Sequence, residues 1–446
     1  MSELRLRLRD HLNSFRTIFW GFVLLILAGA FLLSLPSATM DHTRVPFLNA
    51  LFTSTSAACV TGLVVYDTAT QWSIFGRTVI LVLIQIGGLG VVTFTILTLM
   101  LTGKKIGIMQ RVTMQDAISA PQIGGIVRFT KFFLIGTAVM EGLGALALYP
   151  VFAREFGAVN GIGYAVFHSV SAFCNAGFDI LGKGRPFTSL TTYIAHPGVN
   201  LTVILLIVIG GIGFLTWSDL LQNRFRFRTL RLQTKVVLTT TAVLLLIPFL
   251  FFFFKEFADM EIGQRFLASL FQAVTPRTAG FNTFDYSKMS ESGLLMTIVL
   301  MIIGGAPGST AGGMKVTTIA IVLLAAKAFL TRKSNVNCFK RRIDAPVIHN
   351  ALTLLIVYTM LLLFGTIVLA ECENLPVIQT MFECASALGT VGLTTGITPG
   401  LCDVSKVILI LFMFFGRVGG VTLAYAVVSS LKKDVSKYPV EKITVG

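Results

Sequence analysis

The sequence predicts an all-α integral membrane protein made of four covalently linked repeats around one axis. Each repeat is a helix, a short re-entrant helix, a glycine loop and a second helix. Three observations predict it. The 446 residues are 54% hydrophobic and 13% charged, about half the charged content usual for a soluble protein, and mean hydropathy is +0.81. A pair of glycine signals recurs four times along the chain. Basic residues collect beyond alternate ends of the long apolar runs, the mark of cytoplasmic loops.

The repeat is clearest in residues Phe47 to Phe94. An apolar run of about a dozen residues comes first, too short for a hydrocarbon core of roughly 30 Å. It ends in Val60-Thr61-Gly62-Leu63, and a polar patch with Asp67 leads into the apolar run Ile74 to Leu101. Gly62 follows Phe52 by ten residues, Gly177 follows Phe167 by ten and Gly392 follows Phe382 by ten, while Gly280 follows Phe271 by nine. A serine six positions before the glycine, Ser56, Ser171 and Ser386, recurs in the three copies of equal length. Each copy is followed by a second glycine cluster inside an apolar run: Gly87-GLG, Gly210-GIG, Gly304-GAPG and Gly416-RVGG. Four correlated pairs define an internal repeat rather than scattered turns.

Taken in order, the expected spans are Ile18 to Leu35, Ile74 to Leu101, Val127 to Tyr149, Val199 to Leu221, Thr234 to Phe254, Leu294 to Leu330, Pro346 to Ala370 and Val404 to Leu431. Only the sixth is expected to be broken. The first is read as a retained span because no A-x-A-like cleavage site follows it. Between the members of each pair lie the short segments Pro46 to Ala58, Gly161 to Cys174, Ile262 to Thr275 and Pro376 to Leu388. The expected organisation is an N-terminal segment 1–17, repeats at 18–103, 104–225, 226–335 and 336–432, and a tail at 433–446. The tail is too short to fold alone.

The formal charge of +15 raises nucleic acid as a partner, but its distribution excludes that reading. Arg5, Arg7, Arg9 and Arg16 form one cluster; Lys104, Lys105, Arg111, Arg128 and Lys131 a second; Arg224, Arg226, Arg228, Arg231 and Lys235 a third. Arg332, Lys333, Lys340, Arg341 and Arg342 form a fourth, and Lys432, Lys433 and Lys437 a fifth. This pattern places both termini in the cytoplasm. Acids including Asp41, Asp67, Glu155, Asp179, Asp285, Glu373 and Asp403 fall on the opposite side. Six cysteines form no CxxC pair and no metal-ligand spacing, and are read as packing residues.

Non-helical backbone at membrane depth is tolerated only where protein buries it or where it lines a watery cavity. Four equivalent breaks therefore imply one shared cavity. Helix, half-helix, glycine loop and helix is also the arrangement of potassium channel subunits, whose filters replace an ion's hydration shell with carbonyl oxygens. The expectation is thus four linked helix–pore helix–filter loop–helix repeats around one central pore, potassium-channel-like.

With these motifs the chain resembles the potassium-translocating membrane subunit of the Ktr system, in the Trk, Ktr and HKT superfamily, over nearly its whole length. Trk-type relatives carry extra amino-terminal spans that are missing here, which favours the Ktr branch. The resemblance implies a selectivity filter at Val60, Thr61, Gly62 and Leu63; Asn175, Ala176, Gly177 and Phe178; Thr278, Ala279, Gly280 and Phe281; and Thr390, Val391, Gly392 and Leu393, with K+ held at the four glycines. It implies a homodimer in the bacterial plasma membrane, each protomer holding its own pore, seated on an octameric cytosolic ring of RCK-type nucleotide-binding subunits. ATP or ADP would bind that ring rather than this chain, with Na+ as an expected activator and no covalent cofactor. Only one glycine is common to the loops CVTGL, CNAGF, RTAGF and GTVGL. Fewer ion sites than in a TVGYG filter, and weaker discrimination against Na+, follow from that.

The run Gly304, Gly305, Ala306, Pro307, Gly308, Ser309, Thr310, Ala311, Gly312 and Gly313 interrupts the sixth span. Its glycine spacing fits a phosphate loop, but Met314 stands where the lysine must be. So many small residues read instead as a flexible loop beneath the filter. The resemblance places an intramembrane gate here, with Lys315 facing the inner vestibule. Arg417 lies thirteen residues into the last span, so it is expected to face the interior, meet carbonyls or an acid, and act as a barrier or loop anchor. Glu141 and Glu383 are expected to have intramembrane partners, His168 to be a hydrogen-bonded core residue, and Trp20, Trp72 and Trp217 to be interfacial anchors. Passive cation flux is the expected mechanism, with Na+-coupled K+ symport as the alternative. A membrane-embedded enzyme would need a convergent nucleophile, base or metal set, and none is visible.

Overall fold

The structure, a computed structural model, describes residues 2–94, 97, 107–117, 125–182 and 185–419. Four long helices form the outer wall: α1 (Ser2–Leu33), α5 (Ile126–Phe156), α9 (Leu232–Phe251, extended by a π turn to Glu256) and α13 (Ala345–Glu373). Each contains a window apolar enough to cross a membrane, with mean hydropathy from 1.7 to 2.5. Their exposed faces are apolar at helical spacing, as at Ile135, Val139, Leu143 and Leu146 of α5 and Met360, Phe364 and Ile367 of α13. Such stripes suit acyl chains rather than water.

Each outer helix is followed by a short one: α2 (Phe47–Ala58), α6 (Ala158–Phe173), α10 (Ile262–Val274) and α14 (Val377–Gly389). Pro46 and Pro376 stand immediately before α2 and α14, where a missing N–H costs nothing. These pore helices are buried along most of their length, including polar residues such as Ser54, Ser56, Ser169 and Ser386.

The inner helices depart from expectation. Continuous spans were expected at Ile74 to Leu101, Val199 to Leu221 and Val404 to Leu431, yet each stops at its glycine cluster. α3 (Ile74–Leu89) ends at Gly90 with φ +88°, and α15 (Asp403–Val418) ends at Gly419 with φ +88°. α7 (Pro197–Gly211) and α8 (Phe214–Gln222) meet at 91° across Gly213, φ +89°. The sixth span divides into α11 (Glu291–Ile302) and α12 (Val316–Leu330) around the loop 303–315. Left-handed backbone at these glycines cannot continue a right-handed helix. The second glycine clusters therefore mark breaks in all four repeats rather than in one.

Helix α4 (Ile108–Ala117) packs against α1. A small hairpin, β1 (Asn337–Cys338) and β2 (Arg341–Arg342), joins the helices; it pairs Asn337 with Arg342 and turns through left-handed Phe339 and Lys340, as a two-residue hairpin requires. The ends of the second and eighth expected spans, the repeat boundary at 103, Lys104, Lys105, Lys432, Lys433, Lys437 and the tail 433–446 lie outside the described residues.

The helices close into a ring. Each inner helix packs against the pore helix of the next repeat: α3 against α6, α7 against α10, α11 against α14, and α15 back against α2. Chain order is thus converted into a cyclic arrangement around one axis.

Candidate ion pathway

At the end of every pore helix the backbone takes the same course. Val60, Asn175, Thr278 and Thr390, each two residues before the repeat glycine, have φ between +52° and +65°, and Gly62, Gly177, Gly280 and Gly392 have φ between +68° and +94°. Left-handed backbone at a β-branched residue costs about 1–2 kcal/mol, and three of the four non-glycine positions carry one. Strain of that kind collects where a ligand is held.

The four glycines meet. A Cβ added to Gly62 would stand 2.5 Å from the carbonyl oxygen of Ala176, and one on Gly177 would stand 2.8 Å from that of Ala279. One on Gly280 would lie 2.3 Å from the Val391 oxygen, and one on Gly392 2.1 Å from the Thr61 oxygen. Each glycine leaves room for the carbonyl that precedes the next glycine, in cyclic order. Glycine is required twice over, by handedness and by space.

Hydroxyls fasten each loop to its own helix. Ser56 and Ser386 accept from the N–H of Gly62 and Gly392 at 3.0 Å, and Ser171 donates to the Phe178 carbonyl at 2.7 Å. In the third repeat Thr275 donates to the Phe281 carbonyl. It sits five residues before its glycine, so the deletion that hid it in the sequence is absorbed by a shift of one position. The hydroxyls of Thr61 and Thr390 are buried without a hydrogen-bond partner among the described residues, and that of Thr390 lies against Gly312 of the loop.

In the first, second and fourth repeats the second glycine cluster presses against the end of its own pore helix. A Cβ on Gly87 would lie 2.0 Å from the Ala58 oxygen, on Gly210 2.1 Å from the Phe173 oxygen, and on Gly416 2.3 Å from the Leu388 oxygen. This contact is the physical link between the two glycine signals of a repeat.

The loop 303–315 runs under the ring and bonds to the second and fourth repeats. Ala306 N–H donates to Gly211 O at 2.9 Å, Thr310 Oγ1 to Phe173 O at 3.1 Å, and Gly313 N–H to Gly416 O at 3.1 Å, while Gly308 O accepts from Phe214 N–H at 2.8 Å. Gly304, Gly305, Pro307, Ser309, Ala311 and Gly312 complete it; Ser309 donates to Ala306 O at 2.7 Å, and Gly304 N–H to Met314 O at 2.7 Å. Lys315 donates to Ala311 O at 2.7 Å within its own loop. Arg417 donates to Thr310 O of the loop and to Gly87 O and Gly88 O of the first repeat, the last at 2.8 Å. Its partners are carbonyls from two other repeats. A cavity of about 300 Å³ below the ring is lined in part by Phe22, Gly88, Ser309, Lys315 and Arg417.

The family model for TrkH, described as a cation transport protein, matches residues 13–437. The chain belongs to the TrkH family of cation transport proteins. As a TrkH-family member it is a transporter and not an enzyme. It is 40% identical to the "Ktr system potassium uptake protein B" of Bacillus subtilis, over 96% of this chain and 95% of the relative. It is 38% identical over the full length of both chains to the "Potassium/sodium uptake protein NtpJ" of Enterococcus hirae. The crystal structure of the potassium transporter TrkH from Vibrio parahaemolyticus superposes with a TM-score of 0.74, covering 94% of this chain and 85% of that one at 20% identity. That likeness shows a shared fold.

Other residues singled out in the TrkH-family sequence have definite places. Glu141 accepts from Gln85 at 3.2 Å, joining the second outer helix to the first inner one. His168 Nδ1–H donates to Tyr164 O at 2.7 Å, and its Nε2 accepts from Ile180 N–H at 3.4 Å. Glu383 accepts from the hydroxyls of Thr394 and Thr398, the second at 3.1 Å. Trp20 is exposed. Trp72 is fully buried, against the expectation of an interfacial anchor, because its loop folds back on α3 beside Ala38 and Gly76. Trp217 packs on Phe173 and Phe214 and donates to Ile209 O at 2.9 Å, bracing the α7–α8 bend.

Proposed function

We propose that the chain is the potassium-translocating pore subunit of a Ktr-type bacterial uptake system. The observation that carries this reading is the cyclic contact of the four glycines with the carbonyls of Thr61, Ala176, Ala279 and Val391. Four main-chain oxygens drawn together at the end of four pore helices make a site where a dehydrated alkali cation finds substitutes for its water. The pore helices point their C-termini toward it, and the negative end of each helix dipole favours a cation. The names of the relatives support potassium as cargo.

In this reading Val60 to Leu63, Asn175 to Phe178, Thr278 to Phe281 and Thr390 to Leu393 form the filter, in repeats at 18–103, 104–225, 226–335 and 336–432. The loop Gly304 to Gly313 is the gate, with Lys315 and Arg417 as the charges beside it. Cations move down their electrochemical gradient once the loop is displaced. The chain works as a homodimer in the plasma membrane, termini cytoplasmic, on a cytosolic RCK-type ring that binds ATP or ADP, with Na+ as activator.

Reconstituted flux of K+, Rb+ and Na+ tests the filter. Replacing Gly62, Gly177, Gly280 or Gly392 with serine is expected to change the K+ to Na+ preference; unchanged preference in all four variants rejects the assignment. Measuring K+ flux at fixed voltage with and without Na+ separates the mechanisms. Loss of K+ flux when Na+ is withdrawn would replace passive conduction with symport.

A further inference from the structure

The phenylalanine that opens each repeat motif is followed by a polar residue: Thr53, His168, Gln272 and Glu383. The four differ chemically, a hydroxyl, an imidazole, an amide and a carboxyl. All are buried to within 1% of complete. A buried polar side chain is costly unless it is paired, so the partners disclose the purpose. In three repeats the partner is the chain that leaves the filter. His168 Nε2 accepts from Ile180 N–H, three residues beyond Gly177. Gln272 Oε1 accepts from the hydroxyl of Tyr286, six beyond Gly280. Glu383 takes one threonine hydroxyl on each carboxyl oxygen, Thr394 and Thr398, two and six residues beyond Gly392.

The first repeat reaches the same end from one helical turn away. Thr53 turns back to Asn49 O of its own helix, and Asn49 Nδ2–H donates to the Tyr66 hydroxyl at 2.7 Å, four residues beyond Gly62.

We propose that these side chains are positioning residues that brace the outgoing limb of the filter against its pore helix, and that Glu383, with Thr394 and Thr398, sets cation preference through the fourth loop. This rests on the filter reading above. The serine and threonine fasteners hold the loop at or just beyond the glycine, and the braces hold it further out. A carbonyl ring separates ions of different radius only as far as it resists closing on the smaller one. The fourth brace is the most interlinked, because Thr398 Oγ1 also lies 2.9 Å from Thr394 Oγ1 and Thr394 accepts from Gly396 N–H at 2.9 Å.

The test uses the full chain in proteoliposomes, with Glu383→Leu, Glu383→Gln and the near-isosteric pair Thr394→Val with Thr398→Val, reading the K+ to Na+ flux ratio beside total K+ flux. Glu383→Leu and the threonine pair, each of which removes both hydrogen bonds of the carboxyl, are expected to lower the ratio by about tenfold, with a smaller change in K+ flux. Glu383→Gln, which keeps an acceptor, is expected to restore most of the ratio. A merely structural role would lower the amount of folded protein and leave the ratio alone. If Glu383→Leu does not fold, the threonine pair decides. A monodisperse variant with an unchanged ratio overturns the proposal. Gly392→Ser measured alongside keeps the two readings apart: if it shifts the ratio and the brace variants do not, only the brace fails.

Discussion

A single hydroxyl decides how well each glycine loop is held. Ser56 and Ser386 satisfy the amides of Gly62 and Gly392 in surroundings that exclude other partners. Leaving a buried amide unpaired costs about 1–3 kcal/mol. Ser56→Ala and Ser386→Ala are each expected to lower the melting temperature in detergent and to weaken K+ over Na+ preference, read by melting and ion flux on the same preparation. Unchanged melting in both would show that those bonds are not made. The serines were legible in the sequence as a recurring position, but their partners were not, since the amide lies across a turn of irregular backbone. Thr275 leaves no such mark because the third repeat is one residue shorter. The left-handed residues before the glycines were invisible for a different reason: Val60, Thr278 and Thr390 are β-branched, the side chains least suited to that conformation.

Among the elements, the loop 303–315 and Arg417 form one unit. Arg417 holds the loop to the first repeat through three carbonyls, and the loop holds itself to the second and fourth repeats through backbone bonds. Each such bond contributes about 0.5–1.5 kcal/mol net, so the observed position of the loop is favoured by a sum that no single contact dominates. Deleting residues within Gly304 to Gly313 is expected to raise flux, and Arg417→Gln to raise it by a smaller factor. Unaltered flux in a well-folded deletion would defeat the gating role. The loop was legible because small residues crowd it. The breaks in the other three inner helices were not, since a glycine cluster in an apolar run serves helix packing as well as helix termination. Only the close approach of Gly87, Gly210 and Gly416 to pore-helix carbonyls reveals which of the two applies.

At the scale of the whole molecule, the membrane class, the outer helices and the short helices were written in composition and run length. The cyclic packing of inner helices on successive pore helices was not, because contacts between segments far apart in the chain leave no periodic trace. Purified alone, the chain is expected to show no saturable ATP binding by calorimetry; tight binding without a partner would move the nucleotide site into the membrane subunit. In the sequence Met314 replaces the lysine a phosphate loop needs, and in the structure the loop's amides are spent on Gly211, Gly416 and Met314.

The contact of α15 with α2 has a bearing on biosynthesis. Three repeats leave the enclosure open on one side, with irregular main chain facing lipid that offers it no partners. Insertion and enclosure must therefore be successive events, and the earliest re-entrant segment waits until the last one emerges from the ribosome. A chain halted before Ala345 is expected to reach the bilayer yet be cleared by proteolysis, whereas co-expressing the missing quarter as a separate polypeptide should rescue it.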